Sequence, residues 1–224
     1  MTRVKICGNT HAEDVAICVA EGADAIGVVV EYPVPVPWSV SRGQAAALIR
    51  EVPPLVSAVA VVGGDVDLIL RLAEATAPDA LQLHGDEPEE VVATVRDRLA
   101  GTGIHLIKAV SVEPETRDSA LAWLTRAERF VAAGADAILL DARPADRAGG
   151  GSGTRIDWSL AHSVVTGCSR PVVLAGGLTP ENVATAVHTA TPYAVDVISS
   201  VENAAHRKAR DRVRAFVRAV RDAR

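Results

Sequence analysis

Five places in this 224-residue chain put reactive or very small residues directly after an apolar run: Cys7-Gly8-Asn9, Gln82-Leu83-His84-Gly85, Asp141, Gly176-Gly177 and Ser199-Ser200. A thiol, an imidazole and a carboxylate are the groups that move protons in general acid–base chemistry. Paired glycines let backbone N–H groups approach an anion closely, and a helix N-terminus behind them adds a favourable dipole. Each residue also has an ordinary structural reading. A free Cys is often a small buried hydrophobe, a strand-end Asp often caps the next helix, and a His beside Gly can be a turn residue. Chemistry becomes the better reading only if the fold brings these positions to one rim.

The apolar runs say how that can happen. They are Val4–Cys7, Ala25–Val30, Leu55–Val62, Ala80–Leu83, Ile104–Val110, Ala137–Leu140, Pro171–Ala175 and Ala194–Ile198. All have strand length and are apolar nearly throughout, the mark of parallel strands covered on both faces. Segments of helical period alternate with them. Thr10, Ser41, Asp86 and Thr179 stand at expected helix starts; Ser41 and Gln44 have capping-box spacing, and Pro180 suits a first helical position. The stretches EGADAIGVVV, APDALQLHG, AAGADAILLD and ATPYAVDVIS echo one another as a turn followed by a strand. Repeated β–loop–α units without a composition break predict an α/β fold, a single (β/α)8 TIM barrel spanning residues 1–224. A doubly wound open sheet is the alternative, and it would be expected to carry G-x-G-x-x-G or a P-loop, neither of which is present. In a barrel the active site forms at the carboxyl ends of the strands, and the loops after the seventh and eighth strands are a frequent phosphate site.

Composition agrees. The length is a little under the roughly 250 residues typical of such a barrel. Apolar residues make up 49% of the chain but aromatics only 3%, so Ala, Val, Leu and Ile must fill the core. Net charge is −5, divided unevenly: residues 204–224 carry eight Lys/Arg and two Asp/Glu, or +6, leaving −11 elsewhere. That basic segment has an apolar stripe at Val213, Phe216, Val217 and Val220, so its arginines read as the solvated face of a helix and not as a nucleic-acid site. The three cysteines have no zinc-like spacing, and no metal is expected. Their odd number, with no secretory signal at the N-terminus, predicts a reducing cytoplasm. No run approaches the roughly 18 apolar residues of a membrane helix, so no membrane association is expected.

The motifs VKICGNT (4–10), LQLHGDEP (81–88), LLDA (139–142), GGSGTRIDWSL (150–160), LAGGLTPENV (174–183) and AVDVISSVE (194–202), in this order and over nearly the whole chain, resemble the phosphoribosylanthranilate isomerase family of tryptophan biosynthesis. The resemblance implies an aldose–ketose (Amadori) rearrangement of an N-linked ribose phosphate without cofactor or metal. It implies Cys7 as general base and Asp141 as general acid. Gln82, His84, Trp38, Gly151 and Ser152 would then contact substrate, and Gly176, Gly177, Ser199 and Ser200 its phosphate. The stretch Gly149–Gly153 would form a cover. A thiolate base calls for a lowered Cys7 pKa, and an acid at Asp141 calls for burial or a nearby negative charge. Members of the family include monomers and homodimers.

The pattern breaks in places. The family usually has an Arg where Trp38 stands, and that Arg recognises the carboxylate of the anthranilate portion. Here Trp38 follows the alternating-proline segment Tyr32–Pro37, expected to be extended and unpaired. Arg42 can reach back only from the first turn of a helix. Ile198 replaces a hydroxyl residue, Ser200 a glycine, and Asn9 stands where an apolar residue is common. These departures keep two alternatives open: a specialised relative using the same Cys/Asp pair on another glycosylamine or sugar phosphate, and a non-catalytic binding barrel.

Overall fold

The eight apolar runs all fold as strands, none displaced by more than two residues at either end. The computed structural model describes residues 1–112, 120–142 and 156–223. In chain order the strands are β1 (Arg3–Ile6), β2 (Ala25–Val30), β3 (Ser39–Val40), β4 (Ser57–Val62), β5 (Ala80–Leu83), β6 (His105–Val112), β7 (Ala137–Ala142), β8 (Val172–Leu174) and β9 (Ala194–Val197). The helices are α1 (Ala12–Ala20), α2 (Arg42–Arg50), α3 (Val66–Thr76), α4 (Glu89–Arg98), α5 (Ala120–Ala132), α6 (Trp158–Gly167), α7 (Val183–Ala190) and α8 (Arg210–Asp222), with a 3-10 turn at Ser199–Val201. Every strand pairing is parallel, and β1 pairs with both β2 and β9, so the sheet closes into an eight-stranded barrel ringed by helices. The two-residue β3 was not expected. It returns from the proline segment to pair Ser39 and Val40 with Val29 and Val30 of β2.

Register decides what faces the interior. Lys5 pairs with both Ala25 and Asp196, Gly27 with Val59, Val61 with Gln82, Ser111 with Asp141, and Leu139 with Val173. Because side chains alternate along a strand, these residues and their i±2 neighbours line one face. That face holds the apolar plug Ala109, Leu139, Val173, Ala175 and Ala194. The opposite face, including Val4, Ile6, Val28, Leu81, Leu106 and Ile138, packs in the main core beneath the helices. In α8 the four expected stripe residues, Val213, Phe216, Val217 and Val220, are its buried ones. Three of its arginines are paired to the N-terminal units: Arg210 and Arg214 bind Glu21, and Arg221 binds Asp24.

Several helix starts differ from expectation. Ser41 caps α2 by accepting from Gln44 N–H, but the Gln44 side chain donates to Thr10 O instead of returning to Ser41. Helix α1 is preceded by His11, not Thr10, which hydrogen-bonds to His11 and Asp14. Helix α4 begins after Pro88. Helix α7 begins at Val183, because Asn182 first ties the preceding turn together, accepting from Thr179 N–H and donating to Gly177 O.

Candidate active site

The barrel brings Cys7, Trp38, Gln82, His84, Asp141, Gly176, Gly177 and Ser199 to the lining of one cleft at the carboxyl ends of the strands. Cys7 is the residue after β1, and Asp141 is the penultimate residue of β7, three strands around the barrel. Both are buried, at 1% and 6% exposure. Cys7 sits on the inward face two residues after Lys5. Its place depends on Gly27 of the neighbouring strand: a Cβ there would come within 2.5 Å of Cys7 Sγ.

Beneath the thiol lies a feature that sequence reasoning missed. Lys5 Nζ and Asp196 Oδ1 form a buried ion pair at 3.0 Å in the barrel interior. Burial works to lower the Lys5 pKa, but Asp196 and Cys7 outweigh it and hold the ammonium above its ordinary value. For Asp196 burial raises the pKa, opposed by Lys5, while Asp141 adds a further rise by repulsion between like charges. The signal was available: a Lys in VKIC and an Asp in AVDV are charges inside strands covered on both faces, where an unpaired charge is rarely buried.

The thiol itself corrects an expectation. Its pKa is raised, not lowered, because burial disfavours the thiolate; Lys5 opposes the shift without cancelling it. Asp141 is buried and lies close enough to Asp196 for the two carboxylates to repel.

His84 and Gln82 form a relay to the carboxyl group. Gln82 Nε2 lies 2.8 Å from His84 Nδ1, and His84 Nε2 lies 3.2 Å from Asp141 Oδ2. With the Gln82 amide donating to Nδ1, the ring N–H is on Nε2 and points at Asp141. Tyr32 O–H donates to His84 O at 2.8 Å, tying the β2 loop to the end of β5.

At the other end of the cleft, Gly176 and Gly177 have φ of +84° and +62°, conformations that favour glycine. A Cβ on Gly176 would lie 2.6 Å from the Ala142 backbone nitrogen, so β7 and the β8 loop can approach this closely only with glycine there. The α7 N-terminus does not follow directly, since the turn at 178–182 intervenes. Ser199 is on the cleft lining. Ser200 is not: its hydroxyl donates to Leu178 O at 2.7 Å and joins the last two loops. Gly151, Ser152 and the stretch Gly149–Gly153 lie outside the described residues.

The departures from the family pattern also find places. Trp38 is 7% exposed, donates from Nε1 to Glu202 Oε2 at 3.1 Å, and packs edge-on to His206. Glu202 also holds the fully buried Lys208 at 2.6 Å. Arg42 does reach back, but to Glu31, which it binds through Nε, Nη2 and its backbone N–H. Asn9 is structural: it donates to Ile6 O and Gly27 O and accepts from Cys18. Among the described residues, no group of three or more His, Cys, Asp or Glu is arranged to hold a metal ion, and no helix is long and apolar enough to cross a membrane.

The sequence model of the N-(5'-phosphoribosyl)anthranilate (PRA) isomerase family matches residues 4–219. The chain belongs to this family. The N-(5'-phosphoribosyl)anthranilate isomerase of Haloferax volcanii is 42% identical, covering 100% of this chain and 95% of the relative. The crystal structure of phosphoribosyl anthranilate isomerase from Thermotoga maritima superposes with a TM-score of 0.82 at 36% identity, over 99% of each chain. A second structure, of phosphoribosyl anthranilate isomerase in complex with reduced 1-(o-carboxyphenylamino)-1-deoxyribulose 5-phosphate, gives a TM-score of 0.78 at 35% identity over 99% of each chain. Family membership thus rests on the whole barrel, including the strand ends that line the cleft.

Proposed function

We propose that this protein is a phosphoribosylanthranilate isomerase in which Cys7 and Asp141 are the proton-transfer pair. The observation that carries the reading is their placement: two buried titratable groups, from strands three places apart around the barrel, face one cleft, with a glycine-rich, backbone-lined end beside them. The substrate class follows from the family, and the cleft suits it. The phosphate would lie at Gly176, Gly177 and Ser199, where positive-φ glycines leave room for a close approach.

The chemistry then requires two proton movements. Asp141 donates a proton to the furanose ring oxygen; the C1–O bond breaks, and the nitrogen lone pair forms the imine. Cys7, as thiolate, removes the proton from C2, and the C2–H electrons form the enolamine, which tautomerises to the ketone. His84 is a positioning residue in this scheme. Its Nε2 occupies Oδ2 of Asp141 and leaves the other carboxyl oxygen for the transferred proton. Lys5, positively charged beside Cys7, stabilises the thiolate as it forms. Gln82 orients His84 and borders the sugar. Ser200 acts through the loop that its hydroxyl braces and not by touching the phosphate.

The test is turnover of N-(5'-phosphoribosyl)anthranilate by the purified protein, together with rescue of a tryptophan auxotroph lacking this step. Turnover and rescue are expected. Well-expressed protein that does neither would contradict the reading.

A further inference from the structure

The cleft is chemically two-sided. Opposite the glycine end, its lining is Val29, Tyr32, Val36, Trp38 and Val61, packed as one apolar cluster with Cys7. The polar groups at and around this end are engaged by other groups of the protein. Trp38 Nε1–H donates to Glu202, and Tyr32 O–H donates to the His84 carbonyl. The guanidinium of Arg42 is forked onto Glu31 at 2.9 and 2.6 Å, and Lys208 is closed onto Glu202. The Trp38 ring is also fixed in place. It lies against Gly8, where a Cβ would come within 3.0 Å of the indole. Among the described residues, no Lys or Arg lines the cleft.

We infer that this end holds the aromatic amine portion of the substrate as an uncharged ring, against Trp38, Tyr32 and Val61, and that a carboxylate on that ring adds little to binding. The specificity is then for N-aryl ribosylamine 5-phosphates as a class, with the ring selected by shape and apolar contact. The inference rests on the proposed placement of the phosphate at Gly176 and Gly177 and of the reacting carbons between Cys7 and Asp141. That placement leaves only the apolar end for the ring. A guanidinium–carboxylate contact would give on the order of a 10- to 100-fold preference for the carboxylated ligand. Here no described cation is placed to make it.

The experiment measures calorimetric Kd values of the full chain for two unreactive ligands: reduced 1-(o-carboxyphenylamino)-1-deoxyribulose 5-phosphate and the same compound without the carboxyl group. The two values are expected to agree within about tenfold. A larger loss on removing the carboxyl group, or no binding of either ligand, overturns the inference. The variant Trp38→Arg provides a gain-of-contact test, with a preference of at least about tenfold for the carboxylated ligand expected. A folded variant without that preference also overturns the inference. Turnover is read separately. Equal binding without turnover would leave the inference standing and remove the catalytic reading, whereas turnover with strongly unequal binding would do the reverse.

Discussion

Cys7 is asked to act as a base from a position where burial makes its thiolate costly. Lys5 is what makes the role workable, because its ammonium lies beside the thiol and is itself held charged by Asp196. The sign of the consequence is fixed. A thiol with a raised pKa is protonated at neutral pH, so the active fraction grows as pH rises through that pKa. The dependence of kcat/KM reports groups of the free enzyme; it is expected to climb from neutral pH and to go on climbing above the ordinary thiol value of about 8.5. Replacing the pair together (Lys5→Met with Asp196→Asn) avoids leaving a lone buried charge. It also removes a larger favourable influence on the thiolate than the unfavourable one of Asp196, so the profile should move to higher pH. An unshifted profile would argue that the thiol is not the titrating base. At this scale the sequence was informative about the rim residues and blind to their surroundings. Cys7 and Asp141 could be placed from strand ends, but the sign of the Cys7 shift depended on how deeply the thiol is buried. Likewise, the engagement of Arg42 by Glu31 depended on the left-handed turn at Glu31, where φ is +40°.

Elements matter here chiefly through how closely they approach. Strand β2 presents Gly27 to β1, and the Cys7 side chain fills the space that a larger residue would occupy. The variant Gly27→Ala should therefore displace the thiol and overpack the barrel wall. A loss of about 1–3 kcal/mol is expected in urea denaturation, accompanied by a fall in kcat; unchanged stability and activity would contradict this packing account. Strand identities were readable because parallel strands covered on both faces give unbroken apolar runs. Helix starts were less so. Asn182 and Pro88 moved two of them later than the best local capping signals, and β3 was invisible because two residues carry no periodicity. The serine pair divided for a similar reason: the 3-10 turn at Ser199–Val201 leaves Ser199 on the lining and turns Ser200 toward Leu178.

For the whole molecule, the barrel separates stability from chemistry. The main core lies largely between strands and helices, and α8 closes it with Phe216 fully buried. Phe216→Ala should cost about 3–5 kcal/mol in a denaturant melt yet leave kcat within about twofold while the protein remains folded; loss of activity in step with that destabilisation would show that the two are not separable. The uneven charge that marked the C-terminal segment also resolves at this scale. Arg210, Arg214 and Arg221 answer Glu21 and Asp24 at the N-terminal side of the barrel and help fasten the last helix to the first units. The most direct test of the central claim is kcat for N-(5'-phosphoribosyl)anthranilate in the variants Cys7→Ala and Asp141→Asn, measured on folded protein beside the wild type. Each variant should lose about 10²–10⁴-fold. Either one retaining turnover within about tenfold of the wild type would contradict the assignment of that residue to proton transfer.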